Sequence, residues 1–386
     1  MRSFTIDIPQ SQLDDLRQRI AATRWPDEIP GLGWSRGVPL PYLRELADHW
    51  LHRFDWRAVE ARLNRYPQFI TEIDGANVHF LHVRSAVPDA TPLLITHGWP
   101  STGFEFIEII DALTDPVAHG GTEADAFHVV IPTIPGYGFS GPISQTGWDT
   151  DRVARAWAEL MRRLGYDRYV AQGGDWGSPI SLRVGLNDPE HVIGVHLNML
   201  ATFPPPDDPA ALADLDEADQ ARLQFALDFT QDQMGWQKIQ STRPQTLAYA
   251  LTDSPVGQLA WIVEKFKEWS DSEQAPEEAI DRDHILTTVT IFWLTATAGS
   301  SAQFYYESSH GDAGFFRTWA GPWPLTMPVG VAFFPRDAVR PIRRFAEPIL
   351  PTLSHWTEFD RGGHFPALEQ PRLLVQDIRT FVRTLR

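Results

Sequence analysis

Gln172-Gly173-Gly174-Asp175-Trp176-Gly177-Ser178 is the stretch on which the reading of this chain turns. A β-prone run, Arg168-Tyr169-Val170-Ala171, leads into it, and a helix-prone run, Pro179-Ile180-Ser181-Leu182-Arg183-Val184, leaves it. The local order is therefore strand, tight turn, helix. Gly173 and Gly177 stand two residues to either side of Asp175, at the offsets of a G-x-S-x-G nucleophile elbow. Small residues are needed there because the sharp turn brings strand and helix backbones together and leaves no room for Cβ atoms. Aspartate stands where the serine would be. A carboxylate is ionised at neutral pH and attacks an sp³ carbon directly, leaving an ester on the protein. Ring-opening of an epoxide or displacement of a halide, with the ester then hydrolysed by water, is the chemistry this predicts. The competing reading is a glycine-rich turn whose Asp175 caps the following helix.

Working outward, buried strands are predicted over residues 77–83, 92–96, 127–131 and 191–197, with a helix over 150–164 between the last two. Buried strands alternating with helices imply a mostly parallel, doubly wound α/β sheet. The rhythm breaks at Phe203-Pro204-Pro205-Pro206-Asp207-Asp208, and from there to about Gly314 the pattern is helical, as in Trp261-Ile262-Val263-Glu264-Lys265-Phe266-Lys267-Glu268-Trp269. A helical insertion between strands reads as a lid over the carboxyl ends of the sheet, where such folds bind ligands. The sheet resumes over 329–334, a last strand over 355–359 precedes Arg361-Gly362-Gly363-His364-Phe365, and a terminal helix runs over 371–386. At the N-terminus, a strand over 4–8 and helices around Leu13, Leu16 and Ile20 and over 42–54 cannot close a core alone and are expected to wrap the main domain. The expected division is a wrapping segment over 1–90, the first part of the core over 91–200, the lid over 201–315 and the second part of the core over 316–386. The fold class this amounts to is an α/β-hydrolase fold.

A length of 386 residues suits one large α/β domain with insertions. The net charge of −17 disfavours nucleic acid and anionic membrane as partners. The absence of cysteine excludes disulfides and thiolate chemistry. Met1-Arg2-Ser3-Phe4-Thr5-Ile6-Asp7-Ile8-Pro9 has no apolar signal core and no later run suits a membrane span, so the chain reads as cytoplasmic and without a membrane anchor. The scattered histidines, His79 and His82 included, form no ligand pattern, and neither metal nor cofactor is expected.

Chain order adds weight to the elbow. Hydrolases of this architecture run nucleophile, acid, histidine, and here Asp175 is followed by Asp337 just past one buried strand and by His364 just past another. His364 is the expected base and Asp337 the carboxylate that fixes its tautomer. Glu358 and Asp360 compete for the acid role but sit too near His364 along the chain. His97-Gly98-Trp99-Pro100 ends the first buried strand, so the Trp99 amide and the Trp176 amide are expected to form an oxyanion hole, with His97 beside the substrate.

The chain resembles the microsomal-type epoxide hydrolases over nearly its whole length. The resemblance rests on Leu13-Asp14-Asp15-Leu16-Arg17-Gln18-Arg19-Ile20, Thr23-Arg24-Trp25-Pro26, the His97 tetrad, Pro135-Gly136-Tyr137-Gly138-Phe139-Ser140, the elbow, Asp253-Ser254-Pro255-Val256-Gly257 and Gly362-Gly363-His364-Phe365. It implies a small-molecule epoxide as partner, converted to a vicinal diol, and points to the soluble bacterial members, including those of enediyne antibiotic biosynthesis. A homo-oligomer is compatible with it. It also implies two lid tyrosines that protonate the epoxide oxygen. One matches Tyr305, and a phenol is a fitting acid for an alkoxide leaving group in a dry pocket. The other position holds Trp236, which has a donor but no transferable proton, so Trp236 and the adjacent Gln237 are expected to contact substrate and steer regiochemistry. Two rival readings stay open: a haloalkane dehalogenase using the same aspartate, and a catalytically silent binding protein on a hydrolase fold.

Overall fold

In this computed structural model, which describes residues 1–205, 209–213, 215–311 and 314–386, nine strands form one sheet. They are β1 (Arg2–Phe4), β2 (Gln68–Ile73), β3 (Ala76–Val83), β4 (Thr91–Thr96), β5 (Phe127–Pro132), β6 (Tyr169–Gly173), β7 (Val192–Leu197), β8 (Val329–Phe333) and β9 (Leu353–Glu358), in the order β1-β2-β3-β5-β4-β6-β7-β8-β9. β1, β2, β3 and β5 pair antiparallel in succession, and the rest of the sheet from β5 to β9 is parallel. The central strands β5 and β6 are buried at every position, as expected of strands covered on both faces.

The N-terminal strand is shorter than its alternating sequence predicts. β1 stops at Phe4, because beyond it side chains take over the backbone bonds: Asn64 accepts from the Ile6 amide and donates to its carbonyl, and Glu60 accepts from the Ile8 amide. Both acceptors belong to or adjoin α3 (Trp56–Leu63). The two helices before it, α1 (Gln10–Ala21) and α2 (Leu40–His52), bury Leu13, Leu16 and Ile20, and Leu43, Leu46, Ala47 and Trp50. After β4, α4 (Ile107–Thr114) packs under β5.

The helix before the elbow, α5 (Thr150–Leu164), has the predicted ends for a physical reason. Asp149 accepts from the Asp151 and Arg152 amides at its start, and Gly165, at φ 79°, closes it in the left-handed conformation. α6 (Gly177–Asn187) leaves the elbow, buried along nearly its whole length.

Between β7 and β8 the chain is helical: α7 (Glu217–Asp232), α8 (Gly235–Thr242), α9 (Pro244–Asp253), α10 (Pro255–Trp269), α11 (Arg282–Leu294), α12 (Ala298–His310) and α13 (Gly314–Ala320). The proline-rich break that opens this insertion is described only in part, since Pro206, Asp207 and Asp208 lie outside the described residues. The N-terminal helices pack on these helices: Trp50 Nε1 donates to Thr290 Oγ1 at 2.9 Å, Tyr42 donates to Glu277 at 3.1 Å, and Arg282 pairs with Glu45 at 3.1 Å. Two short helices, α14 (Arg343–Ala346) and α15 (Pro366–Glu369), and the terminal α16 (Pro371–Arg383) complete the chain. One hydrophobic core runs from Leu46 through the sheet to Phe292 of α11 and Phe381 of α16. Among the described residues no single helix is long and apolar enough to cross a membrane.

Candidate active site

The turn between β6 and α6 is as tight as its glycines imply. A Cβ on Gly173 would stand 2.2 Å from the Gly177 carbonyl oxygen, and one on Gly177 would stand 2.0 Å from that of Thr96. Asp175 sits at the bend with φ 47°, a conformation rare outside glycine and a mark of a backbone held for function. The capping alternative is resolved by its side chain. Trp176 occupies the N-cap of α6 without a side-chain bond, and Asp175 Oδ1 instead accepts the Trp99 N–H at 2.8 Å. A Cβ on Gly98 would fall 2.0 Å from that same oxygen, so the loop after β4 lies directly against the carboxylate.

The other carboxylate oxygen faces His364, whose Nε2 is 3.6 Å from Asp175 Oδ2. Its Nδ1–H donates to Asp337 Oδ1 at 2.8 Å, and both side chains are shut off from solvent. The loop holding His364 is fixed by the helical insertion: the His364 amide donates to the Trp269 carbonyl at 2.8 Å, and the Gly362 amide donates to Asp271 at 2.9 Å. Glu358, the rival acid, is turned away to Arg222 and to the Trp356 indole. Burial disfavours the imidazolium, but Asp337 and then Asp175 outweigh it and push His364 up to about 9. Burial raises the Asp175 carboxyl, against the opposing pull of His364 and of the Trp99 and Trp176 amides.

Trp99 and Trp176 thus both direct backbone N–H groups at Asp175. His97 lines the cavity that holds Asp175 and His364, but its ring nitrogens are taken up by the protein. Its Nδ1–H donates to the Gly98 carbonyl at 2.9 Å, and its Nε2 accepts the Ile134 N–H at 3.0 Å. With both ring nitrogens engaged and burial holding it neutral with a pKa of about 4, His97 braces the β4 and β5 loops and has no polar atom for substrate.

Above the carboxylate, aromatic side chains from the insertion close in. Tyr305 of α12 meets the rings of Trp176 at 4.8 Å and Trp236 at 5.4 Å, both edge-on. Burial, then the Asp175 charge, holds its hydroxyl well above the ordinary tyrosine value, so it keeps its proton. Trp236 of α8 stacks on Trp99 at 5.0 Å with rings 8° from parallel, and its buried Nε1–H has no protein acceptor. Gln237 departs from expectation. One residue along a helix turns the side chain by about 100°, and Gln237 lines a different cleft with Thr230, Met234, Lys238 and His310.

Three residues at the site are absent from the sequence reading. Trp269 packs edge-on to His364 at 5.0 Å and to Trp236 at 5.1 Å. Asn198, just past β7, lies against Gly174 and accepts from Gln172 at 2.7 Å. Glu105 is buried in a cavity it shares with Asp175 and His364. Its signal was an acid inside the apolar run Gly103-Phe104-Glu105-Phe106-Ile107. Among the described residues no three His, Asp or Glu side chains group as a metal site.

An aspartate at a strand–helix elbow, a histidine backed by a second carboxylate and two backbone amides directed at the aspartate make up a site of α/β-hydrolase form. Comparison with known proteins agrees: residues 91–256 match the alpha/beta hydrolase fold family, and residues 1–106 match the family described as epoxide hydrolase N terminus. A protein of Stigmatella aurantiaca with a provisional epoxide hydrolase name is 46% identical over 383 residues, spanning 99% of this chain and 85% of that one. Epoxide hydrolase 1 of Sus scrofa is 36% identical, spanning 100% of this chain and 89% of its own. The Aspergillus niger epoxide hydrolase structure superimposes with a TM-score of 0.86 at 32% identity, over 100% of this chain and 96% of that one. The chain belongs to the epoxide hydrolase family and is an enzyme of that class.

Proposed function

We propose that this enzyme converts a bulky apolar or aryl epoxide to a vicinal diol through a covalent ester on Asp175. The observation that carries the reading is the placement of the Asp175 carboxylate, with one oxygen on the Trp99 amide and the other 3.6 Å from a histidine held by Asp337. In the first step Asp175 attacks an epoxide carbon, the C–O bond breaks, and Tyr305 gives its proton to the departing oxygen. The free indole N–H of Trp236 is a second donor to that oxygen. In the second step His364 takes a proton from water as it attacks the ester carbonyl, while the Trp99 and Trp176 amides hold the oxyanion. The diol leaves, the water's remaining proton restores the Tyr305 phenol, and the carboxylate returns.

The substrate class is supported by the aromatic cluster near the carboxylate, where Trp99, Trp176, Trp236, Trp269 and Tyr305 pack ring against ring. Flat apolar surface of this kind favours an aryl or extended unsaturated epoxide, a class that includes natural-product epoxides of the enediyne type. A dehalogenase would use the same aspartate, but it needs no phenol acid at the leaving group, and the family assigns the chain to epoxides.

A single turnover of styrene oxide with excess enzyme in ¹⁸O-water tests the mechanism. The diol should carry unlabelled oxygen and the label should appear on the peptide containing Asp175. Label found directly in the diol, with none on Asp175, would mean water attacks the epoxide without an ester.

A further inference from the structure

A cavity of about 10 Å³ lies against the nucleophile, bounded by Asp175, His364, Asn198, Gly98 and Glu105. That is the room one water molecule needs. Glu105 sits in a turn of 3₁₀ helix, Gly103–Phe106, that directly follows the loop bearing Trp99, and its flanking neighbours Phe104 and Phe106 are buried. It is itself only 8% exposed. Buried carboxyls are normally tied to backbone amides or to a cation, and those that are not call for an explanation. Glu369, a half-buried acid near His364, has such ties: it accepts the Asp271 amide at 2.8 Å and the Phe365 amide at 2.9 Å, and so clamps the histidine loop. Glu105 has the Ser101 hydroxyl and, across the cavity, the His364 cation as the groups that hold its carboxyl down.

We infer that Glu105 is a further catalytic residue of this site, whose carboxylate holds the water that hydrolyses the aspartyl ester. The inference rests on the reading of Asp175 as nucleophile. Water in the cavity is then gripped from two sides: one hydrogen goes to His364 Nε2 as the oxygen bonds to the ester carbon, and the other stays hydrogen-bonded to Glu105. Collapse of the tetrahedral intermediate breaks the bond to the alkyl oxygen, which takes the proton back from His364 and departs as the diol. The water's remaining hydrogen leaves the new carboxyl and restores the Tyr305 phenol, and Asp175 is regenerated as a carboxylate carrying the water's oxygen. Asn198 completes the pocket, its side-chain amide lying against the Gly174 turn as a donor on the cavity wall.

Burial raises the Glu105 carboxyl to about 7, with Ser101 and His364 holding it down and the Asp175 charge pushing it up. Esterification removes the push of Asp175, and the neutral His364 that acts as base no longer supplies its pull. The two changes oppose each other, so the role of Glu105 rests on its place against the cavity.

Rapid mixing of epoxide with excess enzyme separates the two steps, since the tryptophans around Asp175 report ester formation and decay by fluorescence and the mass of the Asp175 peptide counts the ester. Glu105→Gln is expected to form the ester within about threefold of the wild-type rate and to hydrolyse it about ten- to a hundredfold more slowly, so that ester accumulates. Hydrolysis at the wild-type rate, or an equal fall in both steps, would overturn the inference. Should Glu105→Gln fail to fold, Ser101→Ala serves instead. Loss of the hydroxyl raises the Glu105 carboxyl, so the pH midpoint of hydrolysis should move up while that of ester formation stays. An unmoved midpoint counts against Glu105. The parent reading has its own control: no ester on Asp175 in His364→Gln would defeat the nucleophile assignment, and this inference with it.

Discussion

His364 and Asp337 are joined by a 2.8 Å hydrogen bond from Nδ1–H to Oδ1, and both are sealed from solvent. A bond in that position fixes the tautomer, leaving Nε2 as the free nitrogen on the side of Asp175. Asp337→Asn should preserve the packing but reverse the donor, so that Nε2 carries the proton. Ester formation should then proceed near the wild-type rate, and hydrolysis should slow by about a hundredfold or more. Stopped-flow fluorescence with mass analysis of the trapped ester checks both halves, and equal slowing of both steps would remove Asp337 from the base.

The charge on His364 should respond to the nucleophile. Two flanking carboxylates push it up to about 9, and esterification removes one of them. The imidazole should therefore titrate at lower pH in Asp175→Asn than in the wild type, readable from its ring proton shifts in NMR. Stability carries the same sign. The folded value lies above the unfolded value of about 6.5, so the contribution is whole below about pH 6.5 and is lost as pH rises through 9. Asp175→Asn should flatten the decline in unfolding free energy across that window.

How much of this was legible in the sequence depends on where each residue's partners lie. The elbow and α5 could be read because their determinants are local: glycines at fixed offsets in one, Asp149 and Gly165 at the two ends of the other. β2 was missed although its hairpin with β3 through Asp74-Gly75 is a local signal; only its pairing with β1 is tertiary. The extended reading of Ile6 and Ile8 failed because Asn64 and Glu60, more than fifty residues away, take their backbone bonds. The residues assigned to Asp175, Asp337 and His364 come together because strand ends place them, which chain order encodes. Gln237 did not follow, since direction around a helix is decided by packing that chain order does not carry.

The glycines of the elbow should prove unequal to other glycines. Gly177→Ala places a Cβ 2.0 Å from the Thr96 carbonyl oxygen, backbone against backbone, where nothing flexible can yield. A loss of about 3 kcal/mol or more is expected, or failure to fold. Gly165→Ala provides the contrast: it has positive φ but open space around it, and should cost about 1 kcal/mol. Urea unfolding of the two variants compares them, and similar losses would mean that conformation alone, without the close approach, explains the elbow.

In the proposed mechanism Tyr305 and Trp236 divide between them a task that two phenols would share, and their chemistry makes the division unequal. Tyr305 keeps a transferable proton close to the Asp175 charge; the Trp236 indole donates without transfer. Tyr305→Phe retains the edge contacts to Trp176 and Trp99 and should leave the unfolding transition almost unmoved, while ester formation falls by about a hundredfold. Trp236→Phe keeps an aromatic face on Trp99 and loses only the N–H, so ester formation should fall by less than about tenfold. Trp236→Tyr tests the difference directly. If proton transfer limits ring opening, a hydroxyl at position 236 should recover part of the rate lost in Tyr305→Phe when the two changes are combined. No recovery, with the fold intact, would mean that position 236 acts by shape alone and that Tyr305 is the sole acid at the leaving oxygen.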